Sequence, residues 1–134
     1  RVYHPHGYLP YGAESEGAVT EGVVFSEEEY HRHFFNSDFW ANKVQARLFS
    51  TKTCLFVGVS FTDPNLRRLL DFSNWGPGAP RPEHYAFVRL KAGATDRAAY
   101  LQNYLVSKDF ETLRVRPIWI RDFDEIPAFL KDIM

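Results

Sequence analysis

The chain has almost no cysteine. Cys54 is the only one in 134 residues, which excludes an internal disulfide and a cysteine-based zinc module. Its place inside an apolar run makes it a small core residue. Net charge is also small: 16 Lys and Arg against 17 Asp and Glu leave a formal charge of -1. Bulk electrostatics therefore make no case for nucleic acid or an anionic membrane, although a local basic patch stays open. No apolar run approaches the roughly 20 residues of a membrane-spanning helix. The first residues, Arg1-Val2-Tyr3-His4-Pro5, include no initiating methionine and no signal-peptide pattern. A cytoplasmic protein fits, and the chain reads as a piece of something longer. Neither Gly-x-Gly-x-x-Gly nor a Walker loop occurs, so a phosphate-cradling turn is missing from this stretch. There is also no internal repeat, low-complexity tract or linker between domains.

What is present is apolar and aromatic. Hydrophobic residues make up 45% and aromatics 16%, enough for a sizeable core in one domain, residues 1–134. Val2 to His4 could end a short strand, and Gly7 to Gly22 is a turn-rich loop. Gly22-Val23-Val24-Phe25 reads as a strand. Ser26-Glu27-Glu28-Glu29 follows as a capping box, with Tyr30, His33 and Phe34 at helical spacing behind it. Asn36 or Ser37 restarts a helix whose Trp40, Val44 and Leu48 share one face. The loop from Asn74 to Pro82 is a candidate lid or an ordinary surface connection. Tyr85 to Val88 is a strand. Thr95 caps a helix to about Ser107, with Ala98, Leu101 and Leu105 inward. Leu113 to Ile120 is a strand that Pro117 assigns to an edge or an irregularity. Asp122 or Asp124 caps a closing helix with Ile126, Phe129, Leu130 and Ile133 inward. This order of strands and helices predicts an α/β fold, part of a Rossmann-like parallel sheet flanked by helices.

The richest segment is Cys54-Leu55-Phe56-Val57-Gly58-Val59-Ser60-Phe61-Thr62-Asp63-Pro64-Asn65. Its continuous apolar run predicts a parallel strand covered on both faces. Gly58 lets the backbone approach a ligand. Asp63 is suited to cap the next helix, and Pro64 to begin it, with Leu66, Leu69 and Leu70 as its apolar stripe. Ligands in such sheets bind beyond the carboxyl ends of the strands, where Ser60 and Asp63 fall.

Other polar groups carry two readings each. His4 and His6, two apart at a strand end, could form a metal pair, yet no ordered set of further ligands follows. His6 alone, before Gly7, suits a general base, because imidazoles change charge near neutral pH. Either histidine could also be a surface residue in a turn. Glu27, Glu28 and Glu29 could do acid–base work, or complement a helix dipole. Arg67 and Arg68 could meet a phosphate, or form the solvated side of a helix. Trp40, Trp75 and Trp119 could stack on a base, or pack in the core.

Several of these segments together resemble the second half of a bacterial sirtuin-like domain. They are His6-Gly7, Val23 to Tyr30, the run Leu55 to Asn65 with Leu66-Arg67-Arg68-Leu69-Leu70, His84 to Val88, and Val115 to Trp119. The likeness covers nearly the whole chain. It implies that His6 is the catalytic base and that Gly7, Gly58, Val59, Ser60 and Asp63 line an NAD site, with Asp63 also suited to a cap. The near-absence of cysteine is similar to the zinc-less branch, whose members look like NAD-cleaving enzymes, often in multidomain anti-phage defence proteins. NAD would be a substrate and no metal would be needed. The implied partners are NAD or ADP-ribose and the rest of a larger chain, and a second copy could join as a homo-oligomer. The family's Gly-Ala-Gly phosphate loop is not in this chain, and the resemblance places that loop and the family's Asn-x-Asp pair upstream of Arg1. The resemblance thus implies the C-terminal part of an incomplete domain, inactive or nearly so by itself. Alternatives are a non-catalytic NAD-, ADP-ribose- or protein-binding module, a protein deacylase, and a metal hydrolase.

Overall fold

His84 to Arg89 form the middle strand of a parallel sheet, and the described core is arranged around it. The structure is a computed structural model that describes residues 2–8, 23–24, 26–36, 38–75, 82–91 and 97–133. Contacts divide the chain into two units, Arg1–Ala46 and Arg47–Met134.

In the first unit, helix α1 (Glu27–Phe35) starts at the expected capping box. The Ser26 hydroxyl accepts from the Glu29 amide, and the Glu29 carboxylate accepts from the Ser26 amide, each at 3.1 Å. Two of the orphan amides of the first turn are thereby satisfied locally. No residue of α1 is buried. The expected flanking strands are not formed: Val2–His4 and Val23–Val24 are irregular. One backbone bond joins the two segments, from the Val24 amide to the His6 carbonyl at 3.0 Å. Helix α2 (Trp40–Thr51) begins in this unit. Buried Asn42 donates to the carbonyls of His33 and Asn36, at 2.9 and 3.1 Å, and so satisfies the end of α1.

The face of α2 differs from the expected one. Trp40 and Leu48 are exposed, while Ala41, Asn42 and Phe49 are buried. The buried stripe is shifted by one position because Asn42 serves backbone carbonyls and Phe49 enters an aromatic cluster.

The second unit holds β1 (Leu55–Phe56), α3 (Pro64–Ser73), β2 (His84–Arg89), α4 (Arg97–Thr112), β3 (Val115–Ile120), a one-turn 3-10 helix (Phe123–Glu125) and α5 (Ile126–Ile133). Strand order is β1-β2-β3, and both pairings are parallel. Leu55 pairs with Tyr85, and Phe87 with Ile118. The α/β expectation holds, with helices between parallel strands as that topology requires.

Alternate side chains of β2 reach opposite faces. Phe87 joins Ile120 and Ile126, with Ile118 and Leu130 packed against them. On the other face the His84 ring meets Phe49 and Phe56 edge-on. His84 is buried, its Nδ1 accepts from the Cys54 amide at 3.2 Å, and burial holds its imidazole below the usual pKa. Pro117 is tolerated because β3 is an edge of the described sheet.

Three further expectations need correction. The run Cys54 to Val59 is not a strand covered on both faces: only Leu55–Phe56 is strand, and Leu55, Val57 and Val59 are exposed. Leu55, Val57 and Val59 alternate onto one side of the chain, and that side is left uncovered among the described residues. In α4, Ala98, Leu101 and Leu105 are exposed, whereas Ala99 and Phe110 are buried. This helix runs past Ser107 to Thr112, and Phe110, anchored 4.6 Å from the Phe61 ring, sets its rotation. In α5, Phe129 is 40% exposed while Ile126 is buried. Gly22, Phe25, most of Gly7 to Gly22, most of the loop from Asn74 to Pro82, Thr95 and the Ile133 side chain lie outside the described residues.

Candidate functional site

The chain leaves β1 through a strained turn. Gly58 has φ +70°, and a Cβ placed there would meet nothing within 4 Å. The space is therefore open on the side where a ligand would approach, and the backbone conformation suits glycine. Phe61 is also left-handed, at φ 57°, which is uncommon for a bulky residue. It is held there by burial between Phe56 and Phe110, whose ring centroids lie 5.0 and 4.6 Å away. A polar brace secures the same turn. Arg67 of α3 donates to the Phe61 carbonyl at 3.3 Å and makes a bidentate pair with Asp109 of α4 at 2.8 and 2.7 Å. The guanidinium beside Asp109 holds that carboxyl below the ordinary carboxylate range. Strain retained by surrounding packing is a feature of binding sites.

Around this turn lies an open cavity of about 660 Å³, within the range of small-molecule sites. Gly58, Val59, Ser60, Phe61 and Thr62 form one side. Arg67, Asp109, Val106 and Phe110 form another, and the end of β2 (Phe87, Val88, Arg89) with Phe123 closes the rest. It sits at the carboxyl ends of β1 and β2, where parallel sheets bind ligands.

The sequence-predicted residues divide between the two units. Gly58, Val59 and Ser60 line the cavity. Ser60 is exposed, and its hydroxyl lies 2.7 Å from that of Thr62. Asp63 is engaged as the α3 cap, accepting from the Asn65 amide at 2.8 Å and the Leu66 amide at 3.5 Å. His6 and Gly7 belong to the first unit. The Gly7 amide donates to the His4 carbonyl at 3.0 Å, closing a turn, and Gly7 has φ 86°. The exposed His6 ring meets Tyr30 edge-on at 6.4 Å, whereas His4 packs on Tyr8 at 4.9 Å. The two imidazoles thus rest on different aromatic partners.

Sequence reasoning missed Asp109, Arg89 and Phe123, and left Arg67 between two roles. Arg67 is a brace rather than a solvated charge. Arg89 could have been found as the last residue of the middle strand, since that end faces the ligand. Nothing in the sequence marks Asp109 or Phe123.

A parallel α/β sheet with an open glycine turn and a cavity beyond the strand ends defines a protein of the open α/β class, whose ligand sites lie at the carboxyl ends of the strands. Its family is more specific: the SIR2-like domain matches residues 1–108, and the chain belongs to that family. Among curated relatives, it is 34% identical over 95 residues to the NAD(+) hydrolase ThsA of Enterococcus faecium, covering 62% of this chain and 20% of that protein. It is 26% identical to the NAD(+) hydrolase ThsA of Bacillus cereus (strain MSX-D12), covering 98% of this chain and 27% of that protein. A third protein of the same name, from Cytobacillus dafuensis, is 25% identical, with 99% and 28% covered. The chain therefore spans between a fifth and just over a quarter of these relatives. No helix among the described residues is long and apolar enough to cross a membrane.

Proposed function

We propose that this chain supplies the C-terminal part of an NAD-cleaving site, in a larger protein that hydrolyses NAD to nicotinamide and ADP-ribose. The observation that carries the reading is the strained Gly58–Thr62 turn opening into a cavity at the strand ends. The relatives' name, NAD(+) hydrolase, gives that cavity its substrate class.

In the reaction the C1′–nicotinamide bond breaks through an oxocarbenium-like state. Nicotinamide leaves with the bonding electron pair, water adds at C1′, and one proton is released. His6 serves as the base that takes a proton from a ribose hydroxyl or from the water. Gly58, Val59 and Ser60 position the ribose and diphosphate, a contribution of orientation and electrostatics. Gly7 shapes the turn that presents His6. Asp63 acts through its cap, by fixing the start of α3 below the binding turn. The biological setting that fits is anti-phage defence in the bacterial cytoplasm, with NAD as a consumed substrate and no metal in the mechanism.

A second reading, a nucleotide-binding module without chemistry, is favoured by one observation. Among the described residues that line the cavity, the one carboxylate, Asp109, is tied to Arg67, so that lining offers no free acid or base. Chromatographic measurement of nicotinamide released from NAD by the full-length protein separates the two. Release that His6→Ala abolishes supports the enzyme, whereas binding of ADP-ribose without release supports the module. Turnover by the isolated 134-residue chain, lost on His6→Ala, would overturn the expectation that the chain is inert alone.

A further inference from the structure

Around the turn that follows β1 the polar side chains already have partners within the protein. Asp63 caps α3, Ser60 shares a hydrogen bond with Thr62, and Arg67 is bidentate with Asp109. The α3 N-terminus, satisfied by Asp63, is not a free phosphate site. Arg89 stands apart. It ends the middle strand of the described sheet and is one of the residues lining the cavity. Among the described residues its guanidinium has no carboxylate partner; it lies 5.7 Å from the Phe123 ring centroid. Phe123 is 51% exposed and follows β3 directly, on the one-turn helix capped by Asp122.

With Arg67 neutralised by Asp109, Arg89 is the guanidinium of the cavity lining that has no carboxylate partner among the described residues. A planar guanidinium suits two oxygens of a phosphate, and stacking on an aromatic ring limits the orientations it samples. The geometry points to Arg89 as the residue that binds a phosphate of an adenosine nucleotide, with Phe123 as the positioning residue that holds its guanidinium at the cavity mouth. The inference rests on the nucleotide reading of the cavity. The phosphate has two chemical sources: the 5′-diphosphate of NAD or ADP-ribose, and a phosphate on the adenosine ribose.

Calorimetric binding to the full-length protein tests it, with ADP-ribose, 5′-ADP, 2′-AMP and adenosine as probes. Arg89→Ala weakens at least one phosphorylated probe by on the order of tenfold or more, as expected for losing a charge-assisted hydrogen bond. Adenosine binding stays unchanged, and the salt dependence of the weakened probe becomes shallower. Loss confined to 5′-ADP and ADP-ribose assigns the diphosphate, and loss confined to 2′-AMP assigns the ribose phosphate. Arg89→Lys recovers part of the loss because it restores charge without the planar fork. Phe123→Leu produces a smaller loss in the same probes. Equal affinity of Arg89→Ala and the unsubstituted protein for all three phosphorylated probes overturns this inference and leaves the nucleotide reading intact. An equal loss for adenosine overturns it as well, since the effect would not depend on phosphate. If the unsubstituted protein binds none of the four, the nucleotide reading fails and this inference fails with it.

Discussion

The two units of this chain are held together by different kinds of interaction. In Arg1–Ala46 the described order is local: a turn closed by the Gly7 amide, a capping box at Ser26 and the carbonyls satisfied by Asn42. Its helix α1 buries no residue. In Arg47–Met134 the order is long-range, with a parallel sheet, Phe87 against Ile120 and Ile126, and aromatic rings around His84. The proposed base lies in the first unit, and the cavity lies in the second. Chemistry and binding should therefore respond to different substitutions, and the predictions below test that separation.

The largest effect belongs to His6. In the full-length protein, His6→Ala lowers the rate of nicotinamide release by about 10²–10⁴-fold, the usual contribution of a general base. His6 is exposed and lies outside Arg47–Met134, so thermal unfolding stays the same. A loss of less than tenfold would move the base elsewhere. A parallel drop in melting temperature would mean that the two units are not separable in this way.

Leu70→Ala provides the reciprocal case. Leu70 is fully buried in α3, and truncating such a side chain costs about 2–5 kcal/mol. Denaturant unfolding should show that loss, together with weakened nucleotide binding, because α3 carries the brace on the binding turn. A loss under about 1 kcal/mol would show that the second unit has no fixed core at this position.

What the sequence disclosed follows the same division. The β1–α3–β2–α4–β3 order was legible because glycine, proline and capping residues punctuate it. So was the cap at Asp63, where a short polar side chain precedes proline. The rotations of α2 and α4 were not legible. Each carries two competing apolar stripes, and the choice is made by partners distant in sequence: Phe110 meets Phe61, and Phe49 meets His84. The binding turn was half legible. Gly58 marks it, but nothing local predicts that Phe61 adopts a left-handed backbone or that Asp109 braces Arg67. Both depend on α4 packing beside the turn.

His84 sharpens the account of the second unit through pH. Burial lowers its pKa from the usual 6.5, an effect to which Arg114 adds and a hydrogen bond with the Phe49 backbone partly opposes. The folded state therefore prefers neutral imidazole. Its contribution is complete above about pH 6.5 and is lost as pH falls toward the lowered folded value. His84→Leu leaves the Cys54 amide without its acceptor, costing about 1–3 kcal/mol at pH 7.5. It also removes this acid-dependent loss. Melting curves at pH 7.5 and 5.5 measure both effects. If the substituted protein keeps the full acid sensitivity of the original, the titrating group is another one.

The smallest stability change is expected at Asp109, and it tests whether the brace serves binding rather than folding. The side chains of Arg67 and Asp109 are 34% and 48% exposed, so solvent screens the pair and Asp109→Asn should cost at most about 1 kcal/mol. The depressed carboxyl of Asp109 contributes stability above its ordinary value of 3.8, lost as pH falls through its folded value, so the substitution flattens the acid limb only slightly. Binding should change more. Arg67 also donates to the carbonyl of Phe61, the non-glycine residue at positive φ in the turn. Releasing it lets that turn relax, and ADP-ribose affinity falls by about three- to tenfold, equivalent to roughly 0.6–1.4 kcal/mol. A melting shift as large as that of Leu70→Ala would make the pair part of the folding core. Unchanged affinity would show that Phe56 and Phe110 hold Phe61 in its strained conformation without help from the ion pair.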